Sequence, residues 1–163
     1  MSEYLSGGTV VNAVRELAQP IVESLGLILW DVKFLKEGTN WYLRIIIDKE
    51  GGVGIDDCVA VNDALDAPLD ELDPIDRSYN LQVQSPGIER ELVHPFHFQK
   101  YTGSSAVIKL RSAVDGSKTH KCIIRGYEDG TVSLEFTDGE IRSFTKKEYS
   151  SIKLDDFDET LLN

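Results

Sequence analysis

Three Asp-Gly pairs, Asp115-Gly116, Asp129-Gly130 and Asp138-Gly139, punctuate the last third of the chain. Asp-Gly supplies the backbone conformation a tight hairpin loop requires, so each pair marks a point where an antiparallel strand turns back. The stretches around them are short and alternating: Ala106, Ile108 and Leu110 against Val107, Lys109 and Arg111, then residues 122–127, 132–136 and 141–144. Closed by residues 151–154, this meander predicts a five-stranded barrel of SH3-like or Sm-like kind.

The first ninety residues follow other periods. Val11, Val14, Ala18, Ile21, Val22 and Leu25 recur at three- and four-residue spacing and predict a helix, with Thr9 as its cap, Gly26 at its end and Pro20 bending it. Trp30, Val32 and Phe34 alternate with Asp31, Lys33 and Leu35, and Trp41, Leu43, Ile45 and Ile47 with Tyr42, Arg44, Ile46 and Asp48. Two strands joined through Glu37-Gly38-Thr39-Asn40 follow from that pattern. After Gly51-Gly52-Val53-Gly54 a second helix begins, with Asp56 as the expected N-cap. Cys58, Asn62, Leu65, Leu69 and Leu72 form its inner stripe, and Pro68 is expected to break or restart it. A third strand spans 79–83. Helix, strand, strand, helix, strand predicts a small α/β sandwich with its helices on one sheet face, and the whole chain is α+β. Domains are expected at 1–91 and 92–163, with a linker over Arg90 to Tyr101 that carries Phe96 and Phe98. An acidic tail, Asp155-Asp156-Phe157-Asp158-Glu159, ends the second domain.

With 17 Lys+Arg against 28 Asp+Glu, the net charge is −11, which argues against a protein that simply coats nucleic acid. The charge is unevenly spread. Residues 1–92 carry seven basic and seventeen acidic side chains, residues 93–154 ten basic and seven acidic, and the tail four acidic alone. The acidic half suits a basic partner, and the mildly basic barrel is compatible with nucleic acid. Cys58 and Cys122 stand far apart without a CxxC pattern and read as small apolar residues. No signal-peptide pattern and no apolar run of about 20 residues occurs, so a cytoplasmic protein without a membrane segment is expected.

Candidate chemistry is sparse. The Gly51–Gly54 loop matches neither GxGxxG nor a P-loop, and Asp56 and Asp57 stand where a phosphate would sit. Ser85-Pro86-Gly87 lacks the nucleophile-elbow pattern, and His94 and His97 at i,i+3 have no third ligand nearby. No catalytic residue, metal or cofactor is therefore expected. From Asp56 to Asp76 the chain holds eight acidic residues and no basic one, without the ligand spacing of an EF-hand. This is either a solvated face or a docking surface for a basic protein, the candidates being Asp56, Asp57, Asp63, Asp66 and Asp70. In the barrel, Lys109 and Arg111 share a strand face and Lys118 and Lys121 lie across the Asp115-Gly116 turn; with Arg125 they form either a binding stripe or an even distribution.

The string Tyr79-Asn80-Leu81-Gln82-Val83-Gln84-Ser85-Pro86-Gly87-Ile88-Glu89-Arg90 resembles the interdomain motif of the RimP family of ribosome maturation factors. Leu43-Arg44-Ile45-Ile46-Ile47-Asp48, Asp56-Asp57-Cys58 and Arg125-Gly126-Tyr127-Glu128-Asp129-Gly130 are similar to that family as well, and the likeness runs from residue 9 to 154. It departs at Glu91, where the family usually has Pro. The resemblance implies a non-enzymatic assembly factor that binds the small (30S) ribosomal subunit during its maturation, with an α/β N-terminal domain and an SH3-like C-terminal barrel. It also implies association of the barrel with the basic, rRNA-binding small-subunit ribosomal protein twelve. Ser85, Pro86 and Gly87 are expected to shape the interdomain turn. Arg90 is expected to fix the junction by pairing with a carboxylate or carbonyl of the N-terminal domain. A monomer is expected. The alternative is an Sm-like RNA-binding regulator, which would need stacking aromatics among Tyr101, Tyr127, Phe136 and Phe144.

Overall fold

A computed structural model describes residues 7–87 and 90–155; residues 156–159 of the expected acidic tail lie outside them. The apolar spacing near the N-terminus folds as α1 (Gly7–Ser24), which buries Val10, Val14, Ala18 and Val22, one row at four-residue spacing. Thr9 lies inside its first turn instead of capping it, Pro20 is accommodated within it, and Leu25 is exposed. At its end Gly26 adopts φ +77, the Gly26 N–H donates to the Glu23 carbonyl at 2.9 Å, and the Leu27 N–H donates to Val22 at 3.2 Å. That paired return closes two orphan carbonyls and favours glycine at position 26, where φ is positive.

β1 (Ile28–Glu37) and β2 (Asn40–Asp48) form an antiparallel hairpin closed at Glu37↔Asn40. The register skips between Leu29 and Asp31, a bulge at Trp30. Val32 and Phe34, with Leu43, Ile45 and Ile47, line the core under the helices as the alternation predicts. The extra residue shifts the phase before them, so that Leu29 takes the place expected for Trp30. Trp30, expected on that face, is 2% exposed yet stands outside this core.

α2 (Ile55–Leu72) buries Val61, Leu65 and Leu69; Cys58 and Asn62 are only half-buried, and Leu72 is exposed. Its cap is Gly54, not Asp56, and the Asp57 carboxylate accepts the Gly54 N–H at 2.9 Å. Helix α2 continues through Pro68 instead of breaking, and ends where Asp73, at φ 47, donates its N–H to the Leu69 carbonyl at 2.8 Å. β3 (Asn80–Gln84) then pairs parallel to β2, with Ile45 opposite Val83, so α2 is the crossover helix of a β-α-β unit. Sheet order is β1-β2-β3, and α1 and α2 cover one of its faces.

The chain divides into two compact units, Met1–Pro86 and Gly87–Asn163. The second is built on β4 (Ser105–Val114), β5 (Ser117–Glu128), β6 (Thr131–Phe136), β7 (Ile141–Thr145) and β8 (Tyr149–Leu154), in the sheet order β7-β6-β5-β4-β8. Asp115-Gly116 and Asp129-Gly130 are two-residue loops in which both members have positive φ. At the third pair only Gly139 does, and Phe136 N–H to Glu140 carbonyl closes a longer loop. The first and last strands of this sheet, β7 and β8, are successive in the chain, joined by Lys146-Lys147-Glu148. Four residue steps reach about 14 Å, whereas a flat five-stranded sheet would hold its outer strands about 19 Å apart. The sheet is therefore curled. The ladder is open between β7 and β8 among the described residues, so barrel closure is not seen there.

Residues expected as a linker are part of this unit. Leu92 N–H donates to Ile152 at 2.8 Å and Leu154 N–H to Arg90 at 3.0 Å, with Glu91 bridged to Lys153, which lays 90–92 along the outer edge of β8. Leu92 is buried, as are His97 and Phe98 of α3 (Pro95–Lys100). In this geometry the Glu91 N–H points away from β8, so the Pro usual in the family would cost no ladder bond. Glu91→Pro is expected to change stability by no more than about 1 kcal/mol in either direction. Leu92→Pro removes both a ladder bond and a buried side chain and should cost about 3 kcal/mol or more. Urea unfolding of the two variants, followed by circular dichroism, separates these outcomes.

Candidate functional site

On β4 the buried residues are Ala106, Ile108 and Leu110, so Val107 and Lys109 face outward. Val107 lies between Lys121 of β5 and Lys153 of β8, and Lys109 lies between Thr119 and Ser151. Lys109, Lys121 and Lys153 therefore converge on one exposed patch, within about 10 Å of one another across two strand spacings. Lys121 also approaches the Asp155 carboxylate at 4.0 Å, an exposed pair that contributes little. The other barrel candidates are placed elsewhere. Lys118, three residues from Lys121, falls on the opposite strand face near the hairpin tip. Arg125 stands in a bulge of β5 and is neutralised by Glu135 at 3.4 Å. Arg111 lies past the regular part of β4 and, with Lys146, Tyr149 and Ser150, lines a small cleft of about 90 Å³.

Lys153 was not among the sequence candidates, because its partnership with Lys121 runs through Val107 and depends on β8 pairing with β4. Arg142 is committed to structure: it contacts Asp138 at 3.0 Å and Asp115 at 3.4 Å, over the Phe136 ring. The aromatic candidates turn inward. Phe136 and Phe144 are buried, Tyr127 stacks on Phe98 at 4.8 Å, and Tyr101 lies under the Arg90 guanidinium at 5.7 Å.

In the first unit, α2 presents Asp56, Asp63, Asp66 and Asp70 to solvent on one face. Asp57 is separate. Its carboxyl is held below the usual carboxylate range by the Gly54 amide first and Lys49 second, the latter at 2.9 Å. That carboxylate occupies the helix N-terminus where an anion would otherwise bind. Asp66, Asp70 and Asp73 lie towards β3, beside Tyr79, whose phenol is pushed up by burial and then by Asp70, Asp66 and Asp73.

Ser85 and Gly87 are exposed, Pro86 and Arg90 half-buried, and Gly87 stands at φ +72. Arg90 is held through its carbonyl by Leu154 and through its guanidinium by Tyr101. Burial pushes the Cys122 thiol up to about 12, so it is inert as a nucleophile near neutral pH. The His97 Nδ1 accepts the N–H groups of Val93 and His94, at 2.8 and 3.0 Å, which commits that nitrogen to holding the start of α3. Among the described residues no group of three His, Cys, Asp or Glu is placed to hold a metal ion, and no helix is long and apolar enough to cross a membrane.

Fold and surfaces together define an α+β protein in which an acidic mixed-sheet unit precedes an antiparallel unit with a lysine patch. Residues 17–89, most of the first unit, match the family model described as the RimP N-terminal domain. By that match the first unit is a RimP N-terminal domain, and the RimP family is one of ribosome maturation factors.

Proposed function

We propose that the chain is a non-enzymatic assembly factor that binds the small (30S) ribosomal subunit during its maturation. The acidic face of α2 attracts a basic small-subunit ribosomal protein, and likeness to the family associates the barrel with small-subunit protein twelve. The Lys109, Lys121 and Lys153 patch meets the phosphates of adjacent rRNA. In this reading the two compact units are two domains, with residues 90–91 in the second and not, as the sequence suggests, in the first. The curled second sheet closes as an SH3-like barrel, and the protein works as a cytoplasmic monomer.

One observation carries the reading beyond the family match: the first unit presents an acidic helix face and the second a cluster of three exposed lysines, which suits a junction of basic protein and rRNA. Sedimentation with immature and mature small subunits across a salt series tests it. Association with the immature subunit that weakens as salt rises is the expected result, and failure to co-sediment with either subunit overturns it. The RNA-regulator alternative gains no support from the aromatic side chains, since none of Tyr101, Tyr127, Phe136 and Phe144 is exposed.

A further inference from the structure

In the order β1-β2-β3, strand β3 pairs with β2 on one side, and among the described residues its other edge carries no ladder. Over the sheet face beside that edge runs α2. Its N-terminal half and the end of β3 enclose a groove of about 430 Å³, with Ile55, Cys58, Val59 and Asn62 on the helix side and Val83 and Ser85 on the strand side. Ile55 is 82% and Val59 51% exposed, unusual for β-branched residues on a helix that buries Val61, Leu65 and Leu69 elsewhere. Further along the same side of α2, Asp66, Asp70 and Asp73 gather beside Tyr79, just before β3 begins. The edge thus reads in two halves, apolar at one end and acidic at the other.

We propose that this edge of the first unit takes an extended segment of a basic protein, laid along β3 with an apolar side chain between Ile55, Val59 and Val83 and a Lys or Arg against Asp66 and Asp70. This deepens the proposed basic partner of α2 and rests on that reading. Charge decides the occupant. The chain's own C-terminal stretch has apolar Phe157, Leu161 and Leu162, but Asp156, Asp158 and Glu159 among them would meet the acidic rim with like charge. A second copy would bring seventeen acidic side chains in its first 92 residues and is disfavoured likewise. An unpaired strand edge supplies main-chain hydrogen bonds for an extended peptide, and side-chain pockets supply the selectivity. Spacing is also set. From Val59 to Asp66 and Asp70 is about 10 to 16 Å along the helix, or about three to five residues of extended chain.

The full-length protein is labelled with nitrogen-15 and titrated with a synthetic ten-residue probe that places two lysines about four residues after two alternating leucines. Amide shifts are expected at Ile55, Val59, Val83 and Gln84 together with Asp66 and Asp70. Val59→Arg should weaken the probe about tenfold, and Asp66→Asn with Asp70→Asn about fivefold at low salt. Both changes are at exposed positions and should leave the unfolding curve unchanged. Equal binding of a probe with threonine in place of leucine, or shifts confined to the acidic residues, overturns the groove. Co-sedimentation with immature subunits is measured in parallel. A Val59→Arg protein that loses the probe yet co-sediments like the parent removes the groove from subunit binding and leaves the assembly function standing. Failure of the parent protein to co-sediment removes that function instead, and the probe titration still decides the groove.

Discussion

Changing Lys109, Lys121 and Lys153 together to glutamine is expected to lower affinity for the immature small subunit about a hundredfold near physiological salt. Each phosphate contact releases most of one counterion, so log K falls with log salt by about 0.7 to 0.9 per contact. At about 0.15 M salt this makes each contact worth about 0.6 to 0.7 log units, and three give about two. The slope of log K against log salt should therefore fall by about two to three in the triple variant. All three ammonium groups are exposed, and their removal leaves the buried row Ala106, Ile108 and Leu110 beneath them intact. Sedimentation over a salt series reads both quantities. An unchanged slope would mean that these lysines touch no phosphate, whatever the affinity does. Arg125→Gln serves as a comparison: its charge is already answered by Glu135, so its effect should be well under tenfold.

His97→Leu is expected to destabilise the second unit by about 3 to 5 kcal/mol. The imidazole is fully buried and its Nδ1 accepts two backbone N–H groups, from Val93 and His94. Leucine fills much the same volume but accepts nothing, and each stranded donor costs about 1 to 3 kcal/mol. For a unit of this size that is a fall in Tm of more than about 10 °C. Asparagine can offer an amide oxygen near the same place, so His97→Asn should recover part of the loss. Calorimetry on the two variants reads this. Equal losses would mean that ring volume, not hydrogen bonding, is what His97 contributes.

Most of the element order is legible in the sequence because it depends on near neighbours. Asp115-Gly116 and Asp129-Gly130 carry their loop conformation in two residues, and Val14, Ala18 and Val22 carry a helix face at four-residue spacing, which Val10 rather than Val11 continues. What escaped the sequence depends on partners far along the chain or on a single inserted residue. The bulge at Trp30 puts Leu29 where Trp30 was expected while Val32 and Phe34 keep their face, yet no local composition marks it. Residues 90–92 look like a connection until β8, some sixty positions later, lies beside them. The cap of α2 was misplaced by two residues because Asp56 has the right side chain, while the carboxylate that reaches back belongs to Asp57. The candidate surfaces follow the same division. The acidic face of α2 is a helical period and can be read directly. The lysine patch joins three strands, so Lys153 enters and Lys118 leaves only once the register is known.

The pairing of residues 90–92 with β8 also fixes where the second unit can be cut. A fragment beginning at Val93 would leave the amide of Leu154 and the carbonyl of Ile152 without their partners from Arg90 and Leu92. It would also bare an unguarded strand margin, the feature by which sheets of separate molecules adhere. Self-association of such a shortened piece would report the missing strap and not a property of the intact protein.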